Sequence, residues 1–488
     1  MVYSVVSSYR RGGSPSKNFA KPALFTPLNR IDMFSQSSRR RHLPRPTGLL
    51  QTLFAVSVLV LMLLGQKGLE NTCSAAGPKG LDEWIEAKLP EFLEVYTYLH
   101  LNPEVSFEEA KTAAYLAKAW RAAGFEVTEK FGGHGIVGLL RNGKGPTLML
   151  RTDLDALPVS EQTGLPYASK QTVVAAGGST SGVMHACGHD IHMTSLLGTA
   201  KFLAEHKDLW HGTLVIIGQP AEERGSGAEA MLAAGLFTKF PRPDFALALH
   251  CESSTPTGKV ALSPGYSLAN VDTVDIEVKG RGGHGAAPDT TIDPIVQAAE
   301  LVLSLQTIVS REMKPIEPAV VTVGSIHGGS KHNIIGDSCK LQLTVRSYKP
   351  DVREKVLGSI KRKALAIAKA YDAPEPIITV SESVPALEND AKLTERVRQS
   401  FLSAIGTENV LPMEPVMGGE DFSQFGLAGV PIVMYRLGVV SPERLERFKH
   451  LGQNPPSLHS PFFYPDPKES LETGIKTMVS ATVDLMQN

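Results

Sequence analysis

Apolar residues recur at helical spacing from Lys79 to Arg121, with Leu81, Trp84, Ile85 and Leu89 on one face, and predict two helices. Short unbroken apolar runs follow at 147–151, 214–217 and 245–249, each of the length of a strand buried on both faces. Between the first two, 194–205 carries helix periodicity. Strand and helix alternate, so a mostly parallel sheet with helices on its faces is expected. Around Tyr266 the period shortens to two: 272–278 alternates like a half-exposed strand. A helix over 294–311, alternating strands at 319–326 and 339–347, a helix over 351–371 and a strand at 377–381 complete a β-α-β-β-α-β unit of roughly 110 residues, enough for a small domain of ferredoxin-like type. The run 431–436 resumes the buried-strand style, and a helix from Lys468 closes the chain. The reading is a two-domain α/β protein: a main domain in two parts, 80–269 and 383–488, interrupted by an inserted domain, 270–382.

The first 76 residues read differently. Arg39, Arg40, Arg41 and Arg45 precede the apolar run 53–64, which is followed by Gly65 and then by the small residues Cys73, Ser74, Ala75, Ala76 and Gly77. This is the order of a secretory signal, with cleavage expected near Ala75 or Ala76. Leu49 and Leu50 lengthen the run, so an uncleaved anchor through 49–64 also fits, although a full span needs ~20 residues. The protein is expected to be exported, periplasmic or secreted, with a membrane tether as the variant. Met33 makes a tidier start for such a leader than Met1.

Of 488 residues, 49 are basic and 50 acidic, for a formal charge of -1, so no basic excess exists to displace phosphate counterions and a nucleic-acid partner is not expected. Four cysteines with Cys73 in the leader leave Cys187, Cys251 and Cys339, which is no disulfide framework. A thiol in an exported chain then needs another use, and metal ligation supplies one for Cys187.

In parallel sheets working residues sit past the carboxyl ends of the strands. The run 147–151 leads to Asp153 and Asp155, 214–217 leads to Glu222 and Glu223, and 245–249 ends at His250. Three strands deliver acid or imidazole groups to one edge. In extended chain, Cys187 and His189 share a side and could face one ion. Thiolate with imidazole suits zinc; imidazole with carboxylate also suits manganese, nickel or cobalt. His185 and His192 read as supporting or surface groups. Taken alone, His250 reads as a hydrogen-bonded core histidine, and His459 as a solvated residue of a Pro-rich loop. Glu222 and Glu223 follow an apolar strand and Pro220 rather than a charged helix face; as neighbours their side chains diverge, one toward metal, the other toward an attacking water. The Gly-rich stretch 280–288 lacks the Gly-Lys-Ser/Thr ending of a phosphate loop, which excludes nucleotide binding there, and its His284 could donate a hydrogen bond to a carbonyl oxygen. Together these residues describe a two-metal hydrolase.

The stretches Arg151-Thr-Asp153-Leu-Asp155-Ala-Leu-Pro158, Met184-His-Ala-Cys187-Gly-His189-Asp190, Gln219-Pro-Ala-Glu222-Glu223, Gly282-Gly-His284-Gly-Ala-Ala-Pro288, Gly419-Glu-Asp421-Phe-Ser423 and Leu458-His459-Ser-Pro461 occur in an order that resembles the metal-dependent amidohydrolases of hippurate, auxin–amino acid conjugates and N-acetyldiaminopimelate, relatives of aminoacylase and glutamate carboxypeptidase. The likeness spans about residues 82–486. It implies two divalent ions (zinc, manganese, nickel or cobalt) on Cys187, His189, Glu223, His250 and His459, with Cys187 bridging and Glu222 as general base and proton shuttle. It implies Asp155, and less directly Asp153, as supports of the cluster. The inserted domain becomes a lid and dimer surface, with His284 completing a neighbouring subunit's site, and Asn333 and Arg436 contacting substrate. The implied reaction is hydrolysis of an N-acetyl, N-benzoyl or aryl-acyl amino acid to acid and free amino acid, by a homodimer.

Two departures stand out. The link 171–181 and the segment 440–456 look enlarged, and the second reads as a loop before His459. A dipeptidase or carboxypeptidase is the alternative activity. A non-catalytic exported binder of a small ligand or metal is the reading from another class, opposed by the presence of the base and all five ligands.

Overall fold

The computed structural model describes residues 77–174 and 178–487. The leader, its cleavage position, the run 49–64 and the candidate starts Met1 and Met33 lie outside them. Among the described residues no helix is long and apolar enough to cross a membrane.

The chain opens with helices α1 (Leu81–Leu101) and α2 (Ala110–Ala122), then strands β1 (Glu126–Thr128), β2 (Ile136–Asn142) and β3 (Thr147–Asp153). Helix α3 (His189–Glu205), strand β4 (Gly212–Gln219), strand β5 (Phe245–Pro256) and the short β6 (Val260–Ala261) follow. Next come β7 (Asn270–Lys279), α4 (Pro294–Thr307), β8 (Ala319–Gly328), β9 (Ser338–Ser347), α5 (Pro350–Ala370) and β10 (Ile377–Val384). The chain closes through α6 (Ala391–Ile405), β11 (Val410–Leu411), β12 (Ile432–Val440), α7 (Pro442–His450) and α8 (Pro467–Met486).

The large sheet has the order β1-β2-β4-β3-β5-β12-β6-β11. Its centre, β4, β3, β5 and β12, is parallel throughout, and β1, β2 and β6 add antiparallel neighbours toward the edges. Successive side chains of a strand point to opposite faces, and both faces are covered. Leu148, Leu150, Leu214, Ile216, Val433 and Tyr435 enter one core with α1, α3, α6 and α8. Met149, Val215, Ile217, Ala246, Ala248 and Met434 enter a second core with Met231 and Phe425. This two-sided burial is why the runs read as unbroken apolar stretches.

Strands β7 to β10 form a separate antiparallel sheet in the order β8-β9-β7-β10. Strand β7 alternates strictly between buried and half-buried positions, and its inner residues Val274, Ile276 and Val278 pack with Leu301, Leu305, Val356 and Ile360 of α4 and α5. Where the chain leaves the large sheet and where it returns, Gly265–Leu268 and Leu387–Asn389 pair with each other, so the two crossings are held together.

Three local expectations change. Strand β5 does not end at His250: it continues to Pro256, because its ladder to β12 runs on as far as Val440 although the apolar run stops. Helix α3 begins at His189, five residues before its apolar periodicity. The segment 440–456 is not simply a loop but carries α7, which starts at Pro442 behind an extended Ser441.

His100, at the end of α1, joins two other parts of the fold. Its Nδ1 lies 2.7 Å from Asp190 Oδ2 and its Nε2 3.2 Å from Glu161 Oε1, all buried. Burial opposes charge on the imidazole, but the hydrogen bonds to Asp190 and Glu161 outweigh it and raise His100 to about 9. A pKa raised above its unfolded value stabilises fully below the unfolded pKa, near 6.5, and that stability is lost as pH rises through about 9. The shift corresponds to on the order of 3 kcal/mol. His100→Gln is therefore expected to trail wild type more at pH 6 than at pH 9.5 in urea unfolding; an equal gap at both pH values would reject a charged His100.

Candidate active site

The site forms where the parallel strands end. Asp153 and Gln219 close the β3–β4 ladder side by side, and His250 sits opposite Arg436 on β5 and β12. Cys187 and His189 reach the same place, though not through extended chain. Gly188 between them is left-handed, at φ 79°, and His189 is already the first residue of α3. A Cβ at 188 would lie 2.7 Å from Cys251 Sγ, so both the turn and the close packing demand glycine.

Glu222 and Glu223 stand on a single 3-10 turn entered through Ala221, itself left-handed at φ 49°. Their side chains do not diverge. Glu222 Oε2 lies 3.8 Å and Glu223 Oε1 3.7 Å from the same atom, His189 Nε2. Glu223 also meets His459, with Oε2 and Nε2 3.5 Å apart. Cys187 Sγ lies 3.6 Å from His250 Nε2. Cys187, His189 and His250 thus form one group of converging ligand atoms, Cys187, Glu223 and His459 a second, and Cys187 is common to both. His459 is half-exposed, with φ 68°, and stands at the solvent side.

The donor chemistry fits divalent cations. His189 Nδ1 donates to the Asp155 carbonyl at 2.7 Å and His250 Nδ1 to the Cys251 carbonyl at 2.8 Å, which leaves both Nε2 lone pairs facing the cluster. Among the described residues, His189 Nε2, Glu223 Oε1 and Asp155 Oδ1 are buried without a hydrogen-bond partner. Orphan acceptors of this kind are costly unless something positive satisfies them. Burial, then Glu223, Glu222 and Asp153, push the Cys187 thiol well up, so a thiolate there calls for a nearby cation. Burial would lower His189, yet Asp153, Asp155 and Glu223 raise it to about 10, which marks the same spot as strongly attractive to positive charge.

Asp153 and Asp155 hold the site from behind. Asp153 Oδ1 accepts from His192 Nδ1 at 2.8 Å and Oδ2 from Arg151 at 2.8 Å. His192 in turn accepts from the Cys251 amide at 2.8 Å, so both its nitrogens are used and it is a buried support rather than a surface group. Asp155 Oδ2 accepts from Ser106 Oγ at 2.6 Å and from the Glu223 amide at 3.0 Å. His185 is buried too, and burial lowers it to about 4, so it is neutral.

A cavity of about 640 Å³ opens onto the cluster, lined by Cys187, Glu222, Glu223, His250, His459 and Arg436 among others. Arg436 is 5% exposed and lines this cavity. His284 and Asn333 are not brought to this cavity. They are exposed neighbours on the second sheet's side, joined by the Gly285 amide donating to the Asn333 carbonyl at 2.9 Å.

Beneath the cluster lies a buried network that no local sequence pattern announces. Arg151 donates to Glu420 at 2.7 Å, to Asp421 at 3.3 Å and to Gln219 at 3.0 Å, all buried. Arg151 and the pair Glu420-Asp421 stood in two of the family-like stretches, but nothing local shows that residues 269 positions apart meet.

A buried thiol, imidazoles and carboxylates converging beside a free carboxylate at a cavity define a metal-binding hydrolase. The comparisons agree. Peptidase family M20/M25/M40 matches residues 149–483. Hippurate hydrolase of Campylobacter jejuni is 38% identical over 337 residues, 69% of this chain and 85% of the relative. Thermostable carboxypeptidase 2 of Saccharolobus solfataricus is 37% identical over 364 residues, 74% and 87% of the two chains. A solved dinuclear metal-binding peptidase of this family from Bacillus subtilis superimposes with a TM-score of 0.68 at 27% identity, covering 82% of this chain and 99% of its own. This chain belongs to peptidase family M20/M25/M40, and it is a metal-dependent hydrolase of the amidohydrolase type.

Proposed function

We propose that this protein hydrolyses the amide bond of N-acyl amino acids whose acyl group is acetyl, benzoyl or another aryl-acyl group. The carrying observation is the pair of neighbouring carboxylates on His189 Nε2: Glu223 also meets His459, whereas the Glu222 carboxylate has no hydrogen bond among the described residues and remains available for proton transfer. The hippurate hydrolase relative supports the substrate class.

In this reading Cys187, His189, Glu223, His250 and His459 would hold two divalent ions (zinc, manganese, nickel or cobalt). When bound, they supply Lewis acidity for the scissile carbonyl and for a water. Glu222 takes the proton of the attacking water and returns it to the leaving nitrogen. Burial, with Glu420, Glu223 and Asp421 close by, pushes its carboxyl well up, which favours proton acceptance. Asp155 and Asp153 keep His189, His192 and the Glu223 turn in place. Arg436, a cation at the cavity wall, pairs with the substrate carboxylate. His284 donates to the developing oxyanion and Asn333 contacts substrate, both supplied by the inserted domain acting as lid or by a second copy in a homodimer. Light scattering at twice the chain mass would support the dimer, and a single-chain mass would remove it. Export, with or without a tether through 49–64, is part of the same proposal and is tested by fractionating cells and sequencing the mature N-terminus.

The purified protein is expected to release amino acid from N-acetyl and N-benzoyl substrates, to lose this activity to a chelator and to regain it with added divalent ion. Matched substrates with the carboxylate amidated should show a raised KM, and Arg436→Met should erase that difference. Faster turnover of dipeptides would favour the peptidase alternative, which the carboxypeptidase relative supports. Metal retained without any hydrolysis would favour a binding protein.

A further inference from the structure

The turn that carries Glu222 and Glu223 is held by a residue far away in sequence. Residues 103–109 lie between α1 and α2, and they dock on the exit of β3: Val105 bridges Ala156, and the Ala156 amide donates to the Glu104 carbonyl at 2.8 Å. From this segment two side chains reach the catalytic loops. Ser106 holds Asp155, which accepts the Glu223 amide. Glu109 reaches Ala221: its Oε1 accepts the Ala221 amide at 2.8 Å and the Phe107 amide at 2.8 Å.

Three features make the second contact more than packing. Glu109 occupies the N-cap position of α2, yet its side chain makes no capping bond and turns instead toward residue 221. Its carboxyl is fully buried, and Oε2 has no partner among the described residues. The backbone it holds is strained, since Ala221 has φ 49°, a left-handed conformation that a residue with a Cβ rarely adopts. A buried carboxyl that ties the amide of a left-handed alanine, next to the paired glutamates, to the Phe107 amide of its own loop is an arrangement whose effect lies in where those glutamates point.

We propose that Glu109 is a positioning residue, whose hydrogen bond to the Ala221 amide holds the left-handed step that brings Glu222 and Glu223 together on His189. This rests on the reading of Glu222 as base and Glu223 as ligand. Loss of an outer partner of this kind typically lowers metal affinity or activity 10- to 100-fold.

The test uses the full protein with Glu109→Ala, Glu109→Gln, Ala221→Gly and the double variant Glu109→Ala/Ala221→Gly. Glu109→Ala is expected to lower kcat and the metal affinity read by chelator competition about 10- to 100-fold, with KM changed less than about threefold and the metal-free protein still folded. Gln keeps an acceptor oxygen at the same reach and should stay within about threefold of wild type. Glycine takes φ near 49° without strain, so in the Ala221→Gly background the loss at 109 should shrink several-fold. Additive losses in that cycle, or a Gln variant as impaired as Ala, overturns the proposal. Should Glu109→Ala fail to fold, the Gln variant decides: folded and near wild type supports the positioning bond, folded and inactive rejects it. If wild type hydrolyses no N-acyl amino acid, the functional reading fails, while the metal affinities still test Glu109.

Discussion

Glu222→Gln is expected to lower kcat about 10²- to 10⁴-fold while leaving metal content near wild type. Glutamine preserves the volume of a side chain that is nearly buried and packed among Glu420, Asp421 and His189, so little of the loss can come from repacking. What it removes is the ability to take a proton. Metal should stay because the ligand oxygens of the turn belong to Glu223, which lies against both His189 and His459. Glu223→Gln should behave oppositely and lose metal first. The measurement is kcat together with metal per chain by elemental analysis. Turnover within tenfold of wild type would remove Glu222 from proton transfer, and loss of metal would make it a ligand instead. The pH profile gives a second check. In wild type the acid limb of kcat/KM reports the base taking its proton, so residual activity in the Gln variant should lack that limb.

Much of this architecture could be read from local pattern. The parallel centre of the large sheet follows from apolar runs too continuous for one-sided burial, and β7 follows from its period of two. Strand exits pointed to Asp153, Asp155, Glu222, Glu223 and His250, whereas His459 entered the ligand set only through the family resemblance. What could not be read was how the backbone turns there. The pair Cys187 and His189 suggested an extended chain, yet a left-handed Gly188 and a helix start aim both side chains inward. Neighbouring Glu222 and Glu223 suggested divergence, yet a left-handed Ala221 and a tight turn bring both to one imidazole. His250 looked like the end of a strand because its apolar run stops there, whereas the ladder needs only backbone groups and continues to Pro256. Long-range polar pairing left no trace in spacing at all: Ser106 with Asp155, Glu109 with Ala221 and Arg151 with Glu420 each join segments that no local pattern connects. His284 and Asn333 are a different case. Both were assigned to the site through the family resemblance, and the geometry of one chain sets them beside each other on the second sheet's side, away from the cavity.

Arg151→Met is expected to destabilise the fold by about 3–5 kcal/mol, more than any other single change considered. The guanidinium is fully buried and is the cation shared by Asp153, Glu420 and Asp421. Burial opposes its charge, and those three carboxylates outweigh that and keep it protonated at any working pH. Methionine fills the space but leaves the acids facing one another. The loss should also depend on pH. Asp421 is already pushed up, to about 8, mainly by burial, with Arg151 pulling the other way. Without Arg151 the acids would hold protons to higher pH, so the variant would be penalised most where they are forced to ionise, above pH 8, and least near pH 5. Arg151→Lys should fall between, since an ammonium supplies the charge without the planar fork that reaches Asp153, Glu420 and Gln219 together. Urea unfolding of the metal-free forms at pH 5.5 and 8.5 separates this from metal linkage, because bound cations would add their own stabilisation to each variant. A Met variant as stable as wild type at both pH values would show that the cluster is held by its backbone alone. A loss that grows with pH would place Arg151 as the charge that lets so many carboxylates gather under one small metal site.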